Sequence, residues 1–158
     1  MSCVEGTFKD WLGDANCTAC PLGTYQDHTG QTECIPCPPG TFADETGLEE
    51  CKQCPEGSFQ DLRGKTSCKP CSLGRYADQT GMSLCNKCPV GTHAPERNMS
   101  KCTPCPEGTY QDWMEMSSCK PCPQGFYSAQ PGSLECDLCP QLESTAYIGN
   151  KNCSCTAG

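Results

Sequence analysis

Cysteine is the residue type with chemistry to offer in this chain: 19 of the 158 residues, placed periodically. One series runs Cys17, Cys34, Cys51, Cys68, Cys85, Cys102, Cys119, Cys136 and Cys153, advancing by 17 residues without a slip. A second runs Cys3, Cys20, Cys37, Cys54, Cys71, Cys88, Cys105, Cys122 and Cys139 with the same period, and Cys155 alone stands outside both. Thiols in this number serve metal binding, dithiol redox chemistry or disulfide formation. The Cys-x2-Cys pairs come near zinc-ribbon spacing. Proline, however, follows the second cysteine in seven of eight pairs, where a thiolate wants an amide donor, and no histidine sits at ligand spacing. A dithiol redox pair belongs at the start of a helix, and no helical periodicity is legible. Disulfides are the reading adopted, with a zinc-bound array as the weaker alternative.

The period limits how disulfides can pair, because only connectivities that repeat by translation suit a repeating chain. Pairing inside each Cys-x2-Cys closes a tight, strained ring and strands Cys3. Pairing each first cysteine with the second of the next unit leaves cysteines over at both ends. Pairing each second cysteine with the first cysteine fourteen residues on leaves none. This predicts Cys3–Cys17, Cys20–Cys34, Cys37–Cys51, Cys54–Cys68, Cys71–Cys85, Cys88–Cys102, Cys105–Cys119, Cys122–Cys136 and Cys139–Cys153, with Cys155 unpaired or intermolecular. Each closed loop of this size contributes roughly 3 kcal/mol by constraining the unfolded chain.

Something must hold each cysteine pair in place, and the other columns of the repeat say what. Glycine recurs at Gly6, Gly23, Gly40, Gly57, Gly74, Gly91, Gly108 and Gly125. Two residues later stands an aromatic, at Phe8, Tyr25, Phe42, Phe59, Tyr76, Tyr110 and Tyr127, with His93 the exception. Aspartate follows at Asp10, Asp27, Asp44, Asp61, Asp78 and Asp112, then a second glycine at Gly13, Gly30, Gly47, Gly64, Gly81, Gly132 and Gly149. Cys20-Pro21-Leu22-Gly23 predicts a type I turn, and Asp27-His28-Thr29-Gly30 a second whose carboxylate accepts local amides. Thr24-Tyr25-Gln26 between them suffices for one short strand. Such a unit has almost no interior, so its aromatic is expected to pack on its own disulfide and on the adjacent unit, as in a quasi-one-dimensional array.

Composition demands the same covalent scaffold. Without cysteine, 37 of the 158 residues are apolar, and Leu, Ile, Val and Phe together number 17. So little apolar surface cannot offset the entropy of ordering the chain, which excludes an ordinary enzyme domain and a helical bundle. A net charge of −8 supplies no excess of phosphate-neutralising groups and argues against nucleic acid. The charge is uneven, net −8 over residues 1–50, +2 over 51–120 and −2 over 121–158, a polarity that favours staggered packing of copies. No run of about eighteen apolar residues is present to cross a membrane. The start, Met1-Ser2-Cys3-Val4-Glu5-Gly6, lacks the basic and apolar regions of a signal peptide, so a secreted protein is expected to carry its signal outside this segment.

The string Cys-Pro-x-Gly-Thr-Tyr/Phe, with a cysteine fourteen residues after the first, resembles the opening single-disulfide submodule of tumour necrosis factor receptor cysteine-rich domains. Tandem copies joined by Cys-x2-Cys, as in Cys34-Ile35-Pro36-Cys37-Pro38-Pro39-Gly40-Thr41-Phe42, resemble more closely the ephrin-receptor-like cysteine-rich repeats of large extracellular proteins. The resemblance spans residues 3–155 and implies an extracellular, elongated, disulfide-laddered rod. The two interlocked disulfides that follow the submodule in the cytokine receptors have no counterpart here, so their mode of ligand recognition does not carry over.

Several side chains could act at the surface. Leu48, Lys65, Met82, Met99 and Met116 share a column, Trp113 and Met114 lie beside the last, and Trp11 shares the Trp113 column. Met82, Met99, Met116, Trp113 and Met114 either fill gaps between units or form an apolar ladder that docks another chain. Sequons stand at Asn98, Asn16 and Asn152, with Asn98 foremost because cysteine occupies the middle position of the other two. Acidic pairs such as Asp44-Glu45 and Glu49-Glu50 suggest calcium. The aspartate column, though, supplies one carboxylate per 17 residues, whereas calcium gathers roughly six to eight oxygens. No cofactor or metal is assigned. His28 and His93 lack a nucleophile in any recognisable motif, and neither a phosphate loop nor a paired-carboxylate motif can be read, so no enzyme is expected. The final unit decays, with Leu142, Ser144 and Ala146 in the glycine, aromatic and aspartate columns.

The expected fold is small and disulfide-rich, of turns and short β-strands, an elongated tandem-repeat rod with negligible conventional core. A single array of nine units occupies residues 1–155, and 156–158 are a tail or the start of a following segment. The expected function is that of an extracellular spacer that stiffens and assembles a surface protein or filament, secreted and glycosylated. Its partners would be proteins, either further copies or neighbouring domains, with no nucleic acid and no membrane insertion. The alternative is a receptor-type ectodomain that binds a protein ligand on one face of the rod.

Overall fold

The computed structural model describes residues 2–9, 16–140 and 148–153. Trp11, the decayed stretch around Leu142, Ser144 and Ala146, and Cys155 with the tail lie outside the described residues. Those described form no helix, only strands of two residues joined in antiparallel pairs. In the first hairpin, β1 (Thr7–Phe8) pairs with β2 (Thr18–Ala19), Thr7 opposite Ala19 and Phe8 opposite Thr18. Eight such hairpins follow one another, the last joining Phe126–Tyr127 to Asp137–Leu138. The first strand of each carries the aromatic column; the second is the x2 of Cys-x2-Cys. Both strands of a two-stranded sheet are edges, which is why Pro36, Pro70, Pro104 and Pro121 fit in it without a broken ladder.

A lone hairpin this short is not stable in water. Here a disulfide beside each one closes the loop. The nine bridges join Cys3 to Cys17, Cys20 to Cys34, Cys37 to Cys51, Cys54 to Cys68, Cys71 to Cys85, Cys88 to Cys102, Cys105 to Cys119, Cys122 to Cys136 and Cys139 to Cys153, each with a sequence separation of 14 and Cα atoms 5.5–5.8 Å apart.

The first turn differs from the type I turn expected at Cys20–Gly23. Thr24 N donates to Pro21 O at 3.1 Å, so the turn is Pro21–Thr24, one residue later. Gly23 is its third residue, at φ +80°, while Leu22 is not left-handed, which is the type II pattern. The reason is a competing use for an amide. In the expected turn Gly23 N would close the turn, but it donates to Ala43 O in the next loop at 2.9 Å.

The backbone gathers into two compact units, Met1–Cys71 with Ala77–Cys85, and Ser72–Tyr76 with Asn86–Gly158. Within each, loops are joined by recurrent backbone hydrogen bonds. In the first unit Gly6, Gly23, Gly40 and Gly57 donate to the carbonyls of Gln26, Ala43, Gln60 and Ala77. Lys9, Gln26, Ala43 and Gln60 donate to Gln31, Leu48, Lys65 and Met82, and Gly30, Gly47, Gly64 and Gly81 donate back to Cys3, Cys20, Cys37 and Cys54. The second unit repeats the three series, for example Gly91 to Gln111, Ala94 to Met116 and Gly132 to Cys105.

Loops also touch their second neighbours, which a nearest-neighbour array would not do. A Cβ on Gly40 would lie 2.1 Å from Gly81 O, and one on Gly108 2.1 Å from Gly149 O. The glycine columns therefore mark where one backbone passes against another 41 residues away in sequence. What interior exists is sulfur, small side chains and amides: Cys20, Cys37, Cys54, Cys71, Cys88, Cys105 and Cys122, with Ala43, Ala77 and Ala94, and with Gln26, Gln60, Gln111 and Ser128. Phe59 and Met82 pack against Cys71, Ala77 and Cys85, so this aromatic covers the disulfide of the following loop.

Candidate functional site

The residue after the aromatic and before the aspartate decides how each outer turn is held. It is the half-buried Lys9 in the first loop and then Gln26, Ala43, Gln60, Ala77, Ala94, Gln111 or Ser128, and these seven are buried. Where it is glutamine, the side-chain amide bridges the loop: Gln111 Nε2 donates to Ser118 O at 2.7 Å, and Trp113 N donates to Gln111 Oε1 at 3.1 Å. Gln26 does the same with Glu33 and His28, and Gln60 with Ser67 and Leu62. These amides share the role expected of the aspartates. The aspartate carboxylates accept a backbone amide as well and face cations, Asp44 to Lys52 at 2.7 Å, Asp61 to Lys69 at 2.7 Å and Asp112 to Lys120 at 2.5 Å. Hydrogen bonds from these lysines hold the three carboxyls below their ordinary range, and those to Asp44 and then Glu45 raise Lys52. Lys69 and Lys120 also lie over the rings of Phe59 and Tyr110.

The loop closed by Cys105 and Cys119 gathers several departures from the repeat. Pinned by the buried Gln111, its outer turn presents Trp113 and Met114 at 65% and 55% exposure. Met82, Met99 and Met116 are half-buried, and Met82 fills space against Cys71, Ala77 and Cys85. Glu115 stands in the second glycine column yet keeps the left-handed backbone, φ +64°; Asn98, φ +65°, is the other non-glycine residue to do so among those described. The Glu115 carboxylate receives Arg75 Nε at 2.5 Å and Lys87 Nζ at 2.8 Å, and hydrogen bonds from Lys87 and then Arg75 draw its carboxyl below the usual range. Arg75 is itself a departure, as is Phe126, because the rest of their column is Thr7, Thr24, Thr41, Ser58, Thr92 and Thr109, whose hydroxyls donate three residues back.

His93, the imidazole in the aromatic column, lies against the same loop. Its Nδ1 is 3.1 Å from Thr103 O and 3.2 Å from Cys119 Sγ. A carbonyl oxygen only accepts, so Nδ1 carries the proton and is the donor to both. His93, Cys105 and Cys119 bring one nitrogen and two sulfurs within 4.8 Å of one another, a set with the character of metal ligands. Both sulfurs are committed to the disulfide, and a disulfide sulfur is not a thiolate.

Elsewhere, Glu5, Tyr25, Asp27, Glu49 and Glu50 line an open cleft of about 330 Å³ in the acidic first unit. His28 Nδ1 sits 2.7 Å from Asp27, and that hydrogen bond lowers the Asp27 carboxyl. Asn16, Asn98 and Asn152 are exposed, and the cysteines within the first and last sequons, Cys17 and Cys153, are disulfide-bonded.

The family model described as tyrosine-protein kinase ephrin type A/B receptor-like matches residues 6–47, 40–83, 74–115, 91–133 and 108–155, nearly the whole chain. The chain belongs to this family. The matched stretches agree with the geometry: 6–47 begins at Gly6 and ends at Gly47, whose carbonyl a Gly6 Cβ would strike at 2.2 Å, and 74–115 pairs Gly74 with Glu115 in the same way. The other three stretches, 40–83, 91–133 and 108–155, each begin at a glycine of the same column and run past its contact at Gly81, Gly132 or Gly149. No curated protein matches the chain. Ephrin-receptor-like repeats are non-catalytic extracellular modules, and a ladder of nine disulfides suits an oxidising compartment. Among the described residues no helix is long and apolar enough to cross a membrane.

Proposed function

We propose that this ephrin-receptor-like array is a spacer, an inextensible stiff segment that sets distance within an extracellular surface protein or filament and works with neighbouring domains or further copies. The observation that supports this is the way the covalent path is shortened. A pull along the chain passes from Cys20 to Cys34 through the disulfide, a Cα–Cα span of 5.7 Å, and then through three peptide steps of about 3.8 Å each. Each repeat can therefore lengthen to about 17 Å, against about 60 Å for seventeen extended residues without the bridge. Short of that limit, the backbone bonds between loops and the glycine contacts resist first.

The test is single-molecule extension of the chain held by its ends, oxidised and then reduced. A spacer holds its length until the bonds between loops fail, then lengthens to no more than about 17 Å per repeat until reductant is added. Gradual stretching from the lowest forces, as for a flexible linker, overturns the reading. A monomeric chain that forms a stable one-to-one complex with a single soluble protein favours the receptor-type ectodomain instead.

A further inference from the structure

Nine disulfides that each close a loop of the same length, 14 residues in separation, differ in their exchange with thiols only where their surroundings differ. Exposure does little to rank them. Except in the Cys71–Cys85 bridge, each pair joins a buried cysteine to a more exposed one. Of the eight aromatic-column residues named above, Phe8, Phe42 and Phe59 have no polar proton, and Tyr25, Tyr76, Tyr110 and Tyr127 carry theirs on the phenol oxygen rather than in the ring. His93 is different, and it lies on the bridge of the following loop.

We infer that Cys105–Cys119 is a thiol-sensitive latch, opened preferentially because His93 Nδ1–H, shared with Thr103 O, already stands 3.2 Å from the Cys119 sulfur. A low-molecular-weight thiol, as its thiolate, attacks Cys105 Sγ. A new sulfur–sulfur bond forms there as the Cys105–Cys119 bond breaks, and the bonding pair leaves on Cys119 as a thiolate. The departing charge develops 3.2 Å from a hydrogen-bond donor, and a stabilised leaving thiolate speeds exchange. A second thiol then attacks the mixed disulfide. The products are the dithiol of Cys105 and Cys119 and one oxidised disulfide of the reductant, so two thiols are oxidised and one protein disulfide is reduced. Attack on a buried sulfur proceeds through local opening of the loop, a step common to the other bridges. The consequence is specific, because the loop released is the one that carries Trp113, Met114 and Glu115.

The test is exchange of the intact chain with a limiting amount of glutathione, quenched by alkylation at intervals, with each cysteine quantified by peptide mass spectrometry. Cys88–Cys102, and Cys3–Cys17 with its exposed Cys17, serve as internal references. Cys105 and Cys119 are expected to label roughly five- to tenfold faster than Cys88 and Cys102. In His93→Phe, which restores the residue type of the column, that excess disappears while the other bridges keep their rates. Should His93→Phe fold poorly, Tyr110→His decides: it places an imidazole one repeat on, and it should transfer the lability to Cys122–Cys136. An unchanged Cys105–Cys119 rate in His93→Phe, or a Tyr110→His chain in which Cys122–Cys136 is no faster, overturns the inference. So does a His93→Phe variant in which all bridges slow together.

Discussion

Replacing Gly40 by alanine tests whether backbone contact between second-neighbour loops holds this fold together. Two costs add. Gly40 sits at φ +85°, where a side chain costs about 1–2 kcal/mol. The new Cβ would also stand 2.1 Å from Gly81 O and 2.9 Å from Gly81 C. Relief requires the two backbones to part by about 1 Å or more. That movement strains the bonds Gly40 N makes to Gln60 O at 2.7 Å and Gly64 N makes to Cys37 O at 2.9 Å. Overpacking of this kind costs about 1–3 kcal/mol, so Gly40→Ala should lose about 2–5 kcal/mol in all. Gly125→Ala is the control, because Gly125 has the same φ of +85° but a Cβ there meets nothing within 4 Å among the described residues. It should lose only the conformational part, about 1–2 kcal/mol. The assay is urea unfolding with all nine disulfides kept oxidised, read by amide hydrogen exchange. Faster exchange is expected at Gly40 and Gly64 in the first variant and not in the second. Equal losses in the two variants would refute the argument, since the contact would then contribute nothing beyond the turn.

Glu115→Gly and Glu115→Ala both remove the pairs with Arg75 and Lys87, but only glycine relieves the left-handed backbone. Glu115→Gly should therefore be the more stable by about 1 kcal/mol in urea midpoint, and the reverse order would contradict the strain argument. Gln60→Leu leaves Leu62 N and Ser67 O without the side chain that bonds them inside the loop. It should cost about 2–4 kcal/mol, with Gln60→Ala milder because Ala43, Ala77 and Ala94 occupy the same column; equal stability of Gln60→Leu and the parent chain would dismiss the role of the amide. Asp44, Asp61, Asp112 and Glu115 have folded pKa values below their unfolded ones, so their stabilisation is present above the ordinary carboxylate range and is lost as pH falls through the folded values. Because the three aspartates are exposed and Glu115 is only half-buried, a shallow decline in urea midpoint is expected only below pH about 4, and a steep loss near neutrality would contradict it. Chain secreted from a eukaryotic cell should carry a glycan at Asn98, detected as Asn-to-Asp conversion on enzymatic release; an unconverted Asn98 removes the assignment.

What could be read in the sequence was whatever repeats by translation. Two cysteine series with one period admit few pairings, and a short strand between turn-forming residues leaves little choice of local structure. The turn at Pro21–Thr24 was readable in kind but not in register, because Gly23 N has a partner in another loop that only packing reveals. The buried column of Gln26, Ala43, Gln60, Ala77, Ala94, Gln111 and Ser128 escaped notice because amides and small residues do not look alike. The available signal was their shared place beside the aromatic. The contacts across 41 residues were hidden for another reason: a 17-residue period states which residues are equivalent and says nothing of which loops touch. Arg75 and Glu115 each break a column and answer one another, yet their separation of 40 residues has no meaning until the loops are placed.

The division of labour in this chain explains why its fold is easier to read than its role. Contacts between loops are made by amides, carbonyls and glycines, and loop closure is made by sulfur. Most outward side chains, the exposed Leu22, Pro39, Glu56 and Leu73 in one column for instance, are then free to vary without loss of structure. A surface released from structural duty carries no periodic signal of its function. Specialisation must be sought where a column is broken and the break is answered by another residue. The loop between Cys105 and Cys119 meets that condition most fully: Arg75 and Lys87 hold its Glu115, His93 touches its disulfide, and Gln111 fixes the turn that presents Trp113. These contacts reach the loop from three other parts of the chain, so a change in its disulfide would be felt at each of them.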